Sequence, residues 1–371
     1  MKVGIPSEVK NNEFRVAITP AGVHELVRHG HEVYVQQGAG LGSSITDAEY
    51  VAAGGAILPT ADEVWAIADL LLKVKEPIEE EYHRLRKDQT LFTYLHLAAS
   101  RPCTDALIAS GTTAIAYETV ETADRRLPLL APMSEVAGRL APQVGAYHLM
   151  RAAGGRGVLP GGVPGVAAGK AVVIGGGVSG WNATQIAVGM GFHVTLLDRD
   201  INKLKEADKV FGTKVQTVVS NSFELERACL EADLVIGAVL IPGAKAPKLV
   251  TNELVSRMKP GSVLVDIAID QGGCFEDSHP TTHAEPTFQV HNSVFYCVAN
   301  MPGAVPNTST HALTNATLPY ILELADRGWA EALRRDAALA KGLNTHDGKV
   351  VYREVAEAHG LEHPELSALL G

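Results

Sequence analysis

One glycine run and a few scattered charged side chains are where this sequence could do chemistry. In AVVIGGGVSGWNA, Gly175, Gly177 and Gly180 form G-x-G-x-x-G between an apolar, β-branched run and a helical pattern. The first glycine permits a tight turn. The second lets backbone approach a pyrophosphate, and the third lets helix and strand pack closely. Val178 and Ser179 open the helix, whose free N–H groups and positive dipole end suit an anion. Asp198 closes the next strand pattern, about 20 residues beyond Gly175, where an acid bonds the ribose hydroxyls of a dinucleotide. Its charge repels a 2′-phosphate, while Arg199 beside it could accommodate one. The pattern favours NAD and leaves NADP open.

The charged candidates are dispersed. Arg15 lies in NNEFRVAIT. A guanidinium fork suits a carboxylate, although local context alone makes a solvated surface arginine the commoner outcome. Lys75 ends DLLLKVK, and strand alternation puts Lys73 and Lys75 on one face. Position 75 is nearer the carboxyl end, where open α/β sheets bind ligands. A charged strand cap in solvent is the plain alternative. His96 sits near the end of LFTYLHLA and is one of 14 histidines, so its type says little. Its place beside the strand carrying Lys75 says more, because an imidazole there can take and give a proton near neutral pH. Tyr94 shares its face, and Glu118 ends the following strand. Asp270 follows SVLVDIAID beside QGG, while Asp266, inside that strand, reads as buried and structural. Ser134 opens a helix after APM and could cap it, with Met133 before it.

These residues need strand ends to hold them. Strand patterns at 2–6, 32–37, 69–75, 90–97 and 112–119 alternate with helical ones at 21–29, 62–67, 79–86 and 104–110. A long Ala/Leu-rich helix at 134–153 follows, kinked or restarted at Pro142. Residues 154–169, glycine and proline throughout, read as a linker and a flexible crossing. A second alternation has strands at 171–174, 193–197, 214–219, 234–239, 262–268 and 289–299, and helices at 178–190, 203–211, 222–231 and 251–258. Helix returns over 314–340. The fold class is α/β, with two doubly wound domains rather than one large sheet. One of them is a Rossmann dinucleotide-binding domain.

Composition excludes other classes. With 371 residues, the chain is long enough for two domains. A balance of 32 basic against 42 acidic residues lacks a nucleic-acid footprint. The longest apolar runs fall short of a membrane span. Glu8 and Lys10 stand where a secretory signal would need its apolar core. The four cysteines, Cys103, Cys229, Cys274 and Cys297, are far apart, which makes a reducing cytoplasm the expectation.

The chain as a whole resembles the alanine dehydrogenases. The resemblance rests on MKVGIPSEVKNNEFRVAITPAGV, LLLKVKEP, FTYLHLA, APMSEVAGR, VVIGGGVSGWNAT, LVDIAIDQGGCFE and YCVANMPGAVP, in family order. The nucleotide-binding part of proton-translocating transhydrogenase and the saccharopine dehydrogenases share the architecture. The resemblance implies reversible, NAD-dependent conversion of L-alanine to pyruvate and ammonium, and a cytoplasmic homohexamer. A non-catalytic NAD(H)-binding subunit is the alternative. Residues 1–128 and 306–371 would form the substrate domain and 129–305 the Rossmann domain, with the site in the cleft between them. Arg15 and Lys75 would hold the substrate, and His96 and Asp270 would move protons. Cofactor contacts would come from Ser134, the Gly175–Gly180 turn, Asp198, Lys203, Ser220, Val239, Leu240, Ile267, Asp270, Val298, Asn300 and Met301. His279 and Asn307 stand where relatives commonly have arginine. Some members bind magnesium through a glutamate and a histidine one turn apart. Here Glu323 is followed by Arg327, which pairs with a carboxylate and cannot ligate a metal, so no metal is expected.

Overall fold

The computed structural model describes residues 1–239 and 246–370. The chain divides into two compact units, Met1–Met133 with Val305–Gly371, and Ser134–Ala304. The first unit holds β1 (Lys2–Ile5), β2 (Glu32–Gln36), β3 (Ala56–Leu58), β4 (Leu70–Leu72), β5 (Thr90–Thr93) and β6 (Thr113–Ala116). The second holds β7 (Lys170–Ile174), β8 (His193–Asp198), β9 (Val215–Val219), β10 (Leu234–Gly237), β11 (Val263–Asp266), β12 (Thr287–Val290) and β13 (Ser293–Tyr296). The chain then returns to the first unit for β14 (Leu343–His346) and β15 (Lys349–Val350).

The first sheet is ordered β15-β14-β6-β5-β4-β1-β2-β3 and the second β12-β13-β11-β10-β7-β8-β9. Strands β1 to β6 pair in parallel, as do β7 to β11 and β13. The parallel part of each sheet thus has the doubly wound order 3-2-1-4-5-6. It reverses direction between β1 and β4 in one unit and between β7 and β10 in the other. Ligands of such sheets bind outside the carboxyl ends of the strands at that reversal. The central strands are continuous apolar runs buried on both faces, as helix-covered parallel strands must be. All of Leu70–Leu72, Leu234–Gly237 and Val263–Asp266 is buried.

Several local expectations change. Residues 289–299 do not form one strand. β12 and β13 are an antiparallel hairpin, and His291 at its turn has φ 49°. The glycine-rich 154–169 segment is no crossing, because it lies inside the second unit. It is tied down by Arg156 N to Gly261 O (3.0 Å), Gly157 N to Leu149 O (2.8 Å) and Gly169 N to Pro160 O (2.9 Å). One unit boundary falls instead inside the helix Ala131–His148, which runs unbroken through Pro142. Packing on both sides of the proline outweighs its one lost hydrogen bond. A Cβ on Gly138 would fall 2.2 Å from Ser179 O, and one on Gly145 would fall 2.5 Å from a Leu234 methyl. Residues 79–86 form a 3₁₀ turn, Glu79–Arg84. The long helix at the end is three, Pro306–Arg327, Trp329–Arg335 and Ala337–Ala340, broken first at Gly328 (φ 74°). Among the described residues, no helix is long and apolar enough to cross a membrane.

Candidate active site

In the first unit the segments leaving β1, β4, β5 and β6 converge in one charged cluster. Arg15, on the loop after β1, is buried at 2% exposure, so it is not a surface arginine. Its Nε donates to Glu13 Oε1 at 2.7 Å, its Nη2 to Glu13 Oε2 at 2.6 Å, and its Nη1 to Met133 Sδ at 3.0 Å. Burial works to raise the Glu13 carboxyl, but the Arg15 bond and charge hold it below the usual range. The loop is fixed from the returning helix, where Thr310 Oγ1 accepts from Val16 N at 3.1 Å and bonds Ser43 Oγ at 2.8 Å. Asn307 donates to Ser43 O at 2.7 Å.

Bonding to β5 carries past Leu72, with Lys73 N on Phe92 O at 3.2 Å, and then slips by one residue, with Tyr94 N on Val74 O at 3.2 Å, so strict alternation does not relate the two lysines. Lys73 is fully buried and ion-paired to Glu8 (3.2 Å) and Glu81 (2.9 Å). Lys75 is only half-buried. Burial pushes its ammonium below the ordinary lysine value, and Arg15 and Lys10 push it further, against Glu76 and Glu13. Glu76 pairs with Lys10, while its Oε2 is buried with no hydrogen-bond partner. Burial works to raise this carboxyl too, but Lys10, then Lys75 and His96, bring it below its usual value.

His96 is exposed and left-handed, with φ 49°. Glu118 holds the backbone there, accepting from His96 N at 2.6 Å and from Leu95 N at 3.2 Å. Tyr94 is buried, its ring centroid 5.8 Å from that of His96, and its hydroxyl donates to Leu129 O at 2.5 Å. Glu13, Glu8, Glu76 and Lys10 are members of this cluster that the local sequence reading did not select. The available signal was an acid or base within a few residues of the carboxyl end of an apolar strand.

In the second unit the glycine turn follows β7. Gly175 has φ 100°, and a Cβ on Gly180 would fall 1.7 Å from Gly175 O. Among the described residues, a Cβ on Gly177 would meet nothing within 4 Å. One glycine thus makes the turn, one lets the helix Val178–Gly189 approach, and one faces open space at its N-terminus. Asp198 Oδ2 accepts from Gly176 N at 2.6 Å and lies 3.5 Å from Lys203 Nζ, while Oδ1 accepts from Asp200 N at 2.8 Å. These features fit a dinucleotide: open backbone for the pyrophosphate, and a carboxylate at the end of β8 for the ribose. Ser220 N bonds Asp198 O at 2.9 Å, which keeps the ends of β8 and β9 together. Val239 lies over the turn, its methyl 3.0 Å from a Cβ on Gly175, and Ile267 N bonds Gly237 O at 2.9 Å. Leu240 lies outside the described residues.

Asp270 is exposed on the 3₁₀ turn Ile269–Gln271. Asp266 is fully buried and accepts from Cys274 N (2.8 Å), Ala268 N (3.1 Å), Phe275 N (3.3 Å) and Ser278 Oγ (2.5 Å), a structural role. Val298 and Met301 are buried, and Asn300 has φ 62° with its carbonyl on His283 Nε2 at 3.1 Å. Ser134 sits in the first turn of its helix, which begins at Ala131, so it is not the cap. His279 stacks on Phe288 at 3.7 Å. Glu323 and Arg327 are ion-paired at 2.6 Å.

Family models match nearly the whole chain, the second running past Val305 into the returning segment of the first unit. The N-terminal domain of the alanine dehydrogenase/PNT family matches residues 4–137 and its C-terminal domain residues 141–353. The chain belongs to the alanine dehydrogenase family. It is 70% identical over 357 residues to the alanine dehydrogenase of Mycolicibacterium smegmatis, covering 96% of both chains. A solved L-alanine dehydrogenase superposes with a TM-score of 0.95 at 51% identity, over 97% of this chain and 99% of that one. A transhydrogenase from Sinorhizobium meliloti is more distant, with a TM-score of 0.83 at 26% identity over 95% and 100%.

Proposed function

We propose that the chain catalyses the reversible oxidative deamination of L-alanine by NAD, giving pyruvate, ammonium and NADH. When bound, NAD supplies the hydride acceptor. The first unit handles the substrate. Arg15 and Lys75 hold its carboxylate and carbonyl oxygens, and Glu13 keeps the Arg15 guanidinium oriented. His96 takes the proton that must leave as the substrate amine is oxidised, and returns one in the reverse direction. Asp270 handles the amine or water proton. The second unit binds the cofactor through the Gly175–Gly180 turn, Asp198, and the segments bearing Ser134, Lys203, Ser220, Val239, Ile267, Val298, Asn300 and Met301. A cytoplasmic homohexamer working in L-alanine catabolism completes the proposal, by likeness to the family.

The observation that carries this reading is the buried Arg15 beside Lys75 at the strand ends of a chain matching both family domains. A non-catalytic NAD(H)-binding subunit needs the glycine turn but not that cation pair. The test is an amino-acid panel assayed in parallel with NAD and NADP. NADH formation with L-alanine is expected. Tight NADH binding with no turnover on any amino acid would favour the subunit.

A further inference from the structure

We propose that Glu8 is the positioning residue for Lys75, clamped in turn by Lys73 and Glu81. This rests on the reading of Lys75 as a substrate-binding side chain. Glu8 lies just beyond β1, at the strand-order reversal, and reaches the segment leaving the neighbouring strand β4. Its side chain is 2% exposed. Oε1 accepts from Val74 N at 2.6 Å, and Oε2 accepts from Lys75 N at 3.3 Å and from Lys73 Nζ at 3.2 Å. One carboxylate therefore grips three successive residues, the last of them Lys75. The Lys73 ammonium is completed by Glu81 at 2.9 Å, and Glu81 Oε2 accepts from Ile78 N at 3.1 Å. The group closes the loop on both sides of Lys75.

Its chemistry is specific to the task. Every contact Glu8 makes is to a donor, and an ionised carboxylate is acceptor-only. Glutamine at this position would keep an oxygen for Val74 N, but would turn an NH₂ toward Lys75 N and Lys73 Nζ. Burying a lysine between two carboxylates is also a poor way to stabilise a fold, since apolar packing of similar volume is often as good or better. Burial raises the Glu8 carboxyl, opposed by Lys73 and Val74 N. Such an arrangement is worth keeping where it fixes geometry. Beyond Leu72 two backbone bonds still tie the segment to its neighbour, Lys73 N to Phe92 O and Tyr94 N to Val74 O at 3.2 Å each, and Glu8 adds the bond at Lys75 N itself, which fixes the direction in which the chain presents that residue.

The experiment compares Glu8→Gln, Glu8→Asp, Lys75→Ala and the double variant Glu8→Gln/Lys75→Ala. KM and kcat for L-alanine, NADH affinity and Tm are measured on each. Glu8→Gln is expected to raise KM for L-alanine by about tenfold or more with NADH affinity unchanged. Glu8→Asp, which keeps an acceptor-only group on a shorter stem, recovers part of that loss. In the Lys75→Ala background the Glu8 change should add less than about twofold, because its target is gone. A folded Glu8→Gln with normal KM, or one whose effect persists without Lys75, overturns the inference and leaves the Lys75 reading standing. A normal KM in Lys75→Ala overturns the Lys75 reading itself, and this inference with it. If Glu8→Gln does not fold, Glu8→Asp with and without Lys75 carries the same comparison.

Discussion

Between β1 and β4 the first sheet ends in side-chain charge, whereas between β7 and β10 the second ends in glycine backbone. The strand order is the same in both. The first reversal gathers Glu8, Glu13, Arg15, Lys73, Lys75 and Glu76, most of them buried and interlocked. The second offers three glycines and the start of a helix, with Asp198 and its ion-pair partner Lys203 close by. A pyrophosphate is large, doubly anionic and well served by N–H groups, so bare backbone binds it. A small amino acid has a carboxylate, an amine and one reactive carbon, and needs individually aimed groups. In the proposed reading, one architecture serves two ligands by changing who supplies the donors: backbone in one unit, side chains in the other.

The largest test of that contrast removes a side chain proposed to move protons. His96→Asn should lower kcat by about 10²–10⁴ while NADH affinity stays within twofold. Asparagine is the right replacement because position 96 has φ 49°, which asparagine tolerates better than alanine. An alanine there would mix backbone strain with lost chemistry. A near-normal kcat in the asparagine variant would end the proton-transfer role.

The complementary change disturbs backbone alone. Gly180→Ala puts a methyl 1.7 Å from Gly175 O, a contact only backbone movement can relieve. Overpacking of this kind costs about 1–3 kcal/mol or more. NADH affinity should fall by about tenfold to over a hundredfold and Tm should drop. NADH titration and thermal melting check both, and wild-type affinity would show that the turn does not bind the cofactor.

The contrast also governs what the sequence reveals. The glycine turn is legible because one short segment contains every part of it, and its spacing is its geometry. The charged cluster is assembled from the ends of four strands, so no spacing encodes it. Arg15 looked like a surface residue for that reason, since its buried state depends on Glu13, Met133 and a loop pinned by Thr310. Alternation pairs Lys73 with Lys75 in sequence, but the bonding to β5 slips by one residue beyond Lys73. The β12–β13 hairpin reads in sequence as one strand because its turn, at His291, lacks the usual glycine. The β14–β15 hairpin was missed although Asp347-Gly348, both at positive φ, is a strong turn signal for such a connection.

A smaller effect is expected at Asp198, which belongs to both sides of the contrast. Its carboxylate holds Gly176 N and Asp200 N, and is proposed to bond the ribose as well. Asp198→Ala should weaken NAD by about tenfold to a hundredfold, the loss of charge-assisted hydrogen bonds worth about 1.5–3 kcal/mol. With the repulsion gone, NADP should be tolerated better. The ratio of kcat/KM for the two cofactors checks the charge effect, and an unchanged ratio would leave Asp198 holding the turn without selecting the cofactor.

The smallest effect is a pH dependence peculiar to the side-chain site. Burial, with Arg15 close by, lowers the Lys75 ammonium below the ordinary lysine value of about 10.4. Between the lowered value and the ordinary one, the folded protein holds fewer protons than the unfolded chain. As far as this group goes, stability in that window rises with pH. Its grip on a carboxylate changes in the opposite sense, being complete below the lowered value and lost as pH rises through it. Pyruvate binding to the NADH-loaded protein, with ammonium left out so that its own titration does not enter, should therefore weaken on the alkaline side earlier than an ordinary lysine allows. Lys75→Arg keeps its charge throughout. It should bind pyruvate less well at neutral pH because the guanidinium is bulkier, yet show a flatter alkaline profile. NADH affinity, set by backbone and Asp198, should show no such difference between the two proteins. Identical alkaline slopes for pyruvate in wild type and Lys75→Arg would mean that Lys75 is not the titrating partner of the carboxylate, and would leave Arg15 as the cation that anchors it.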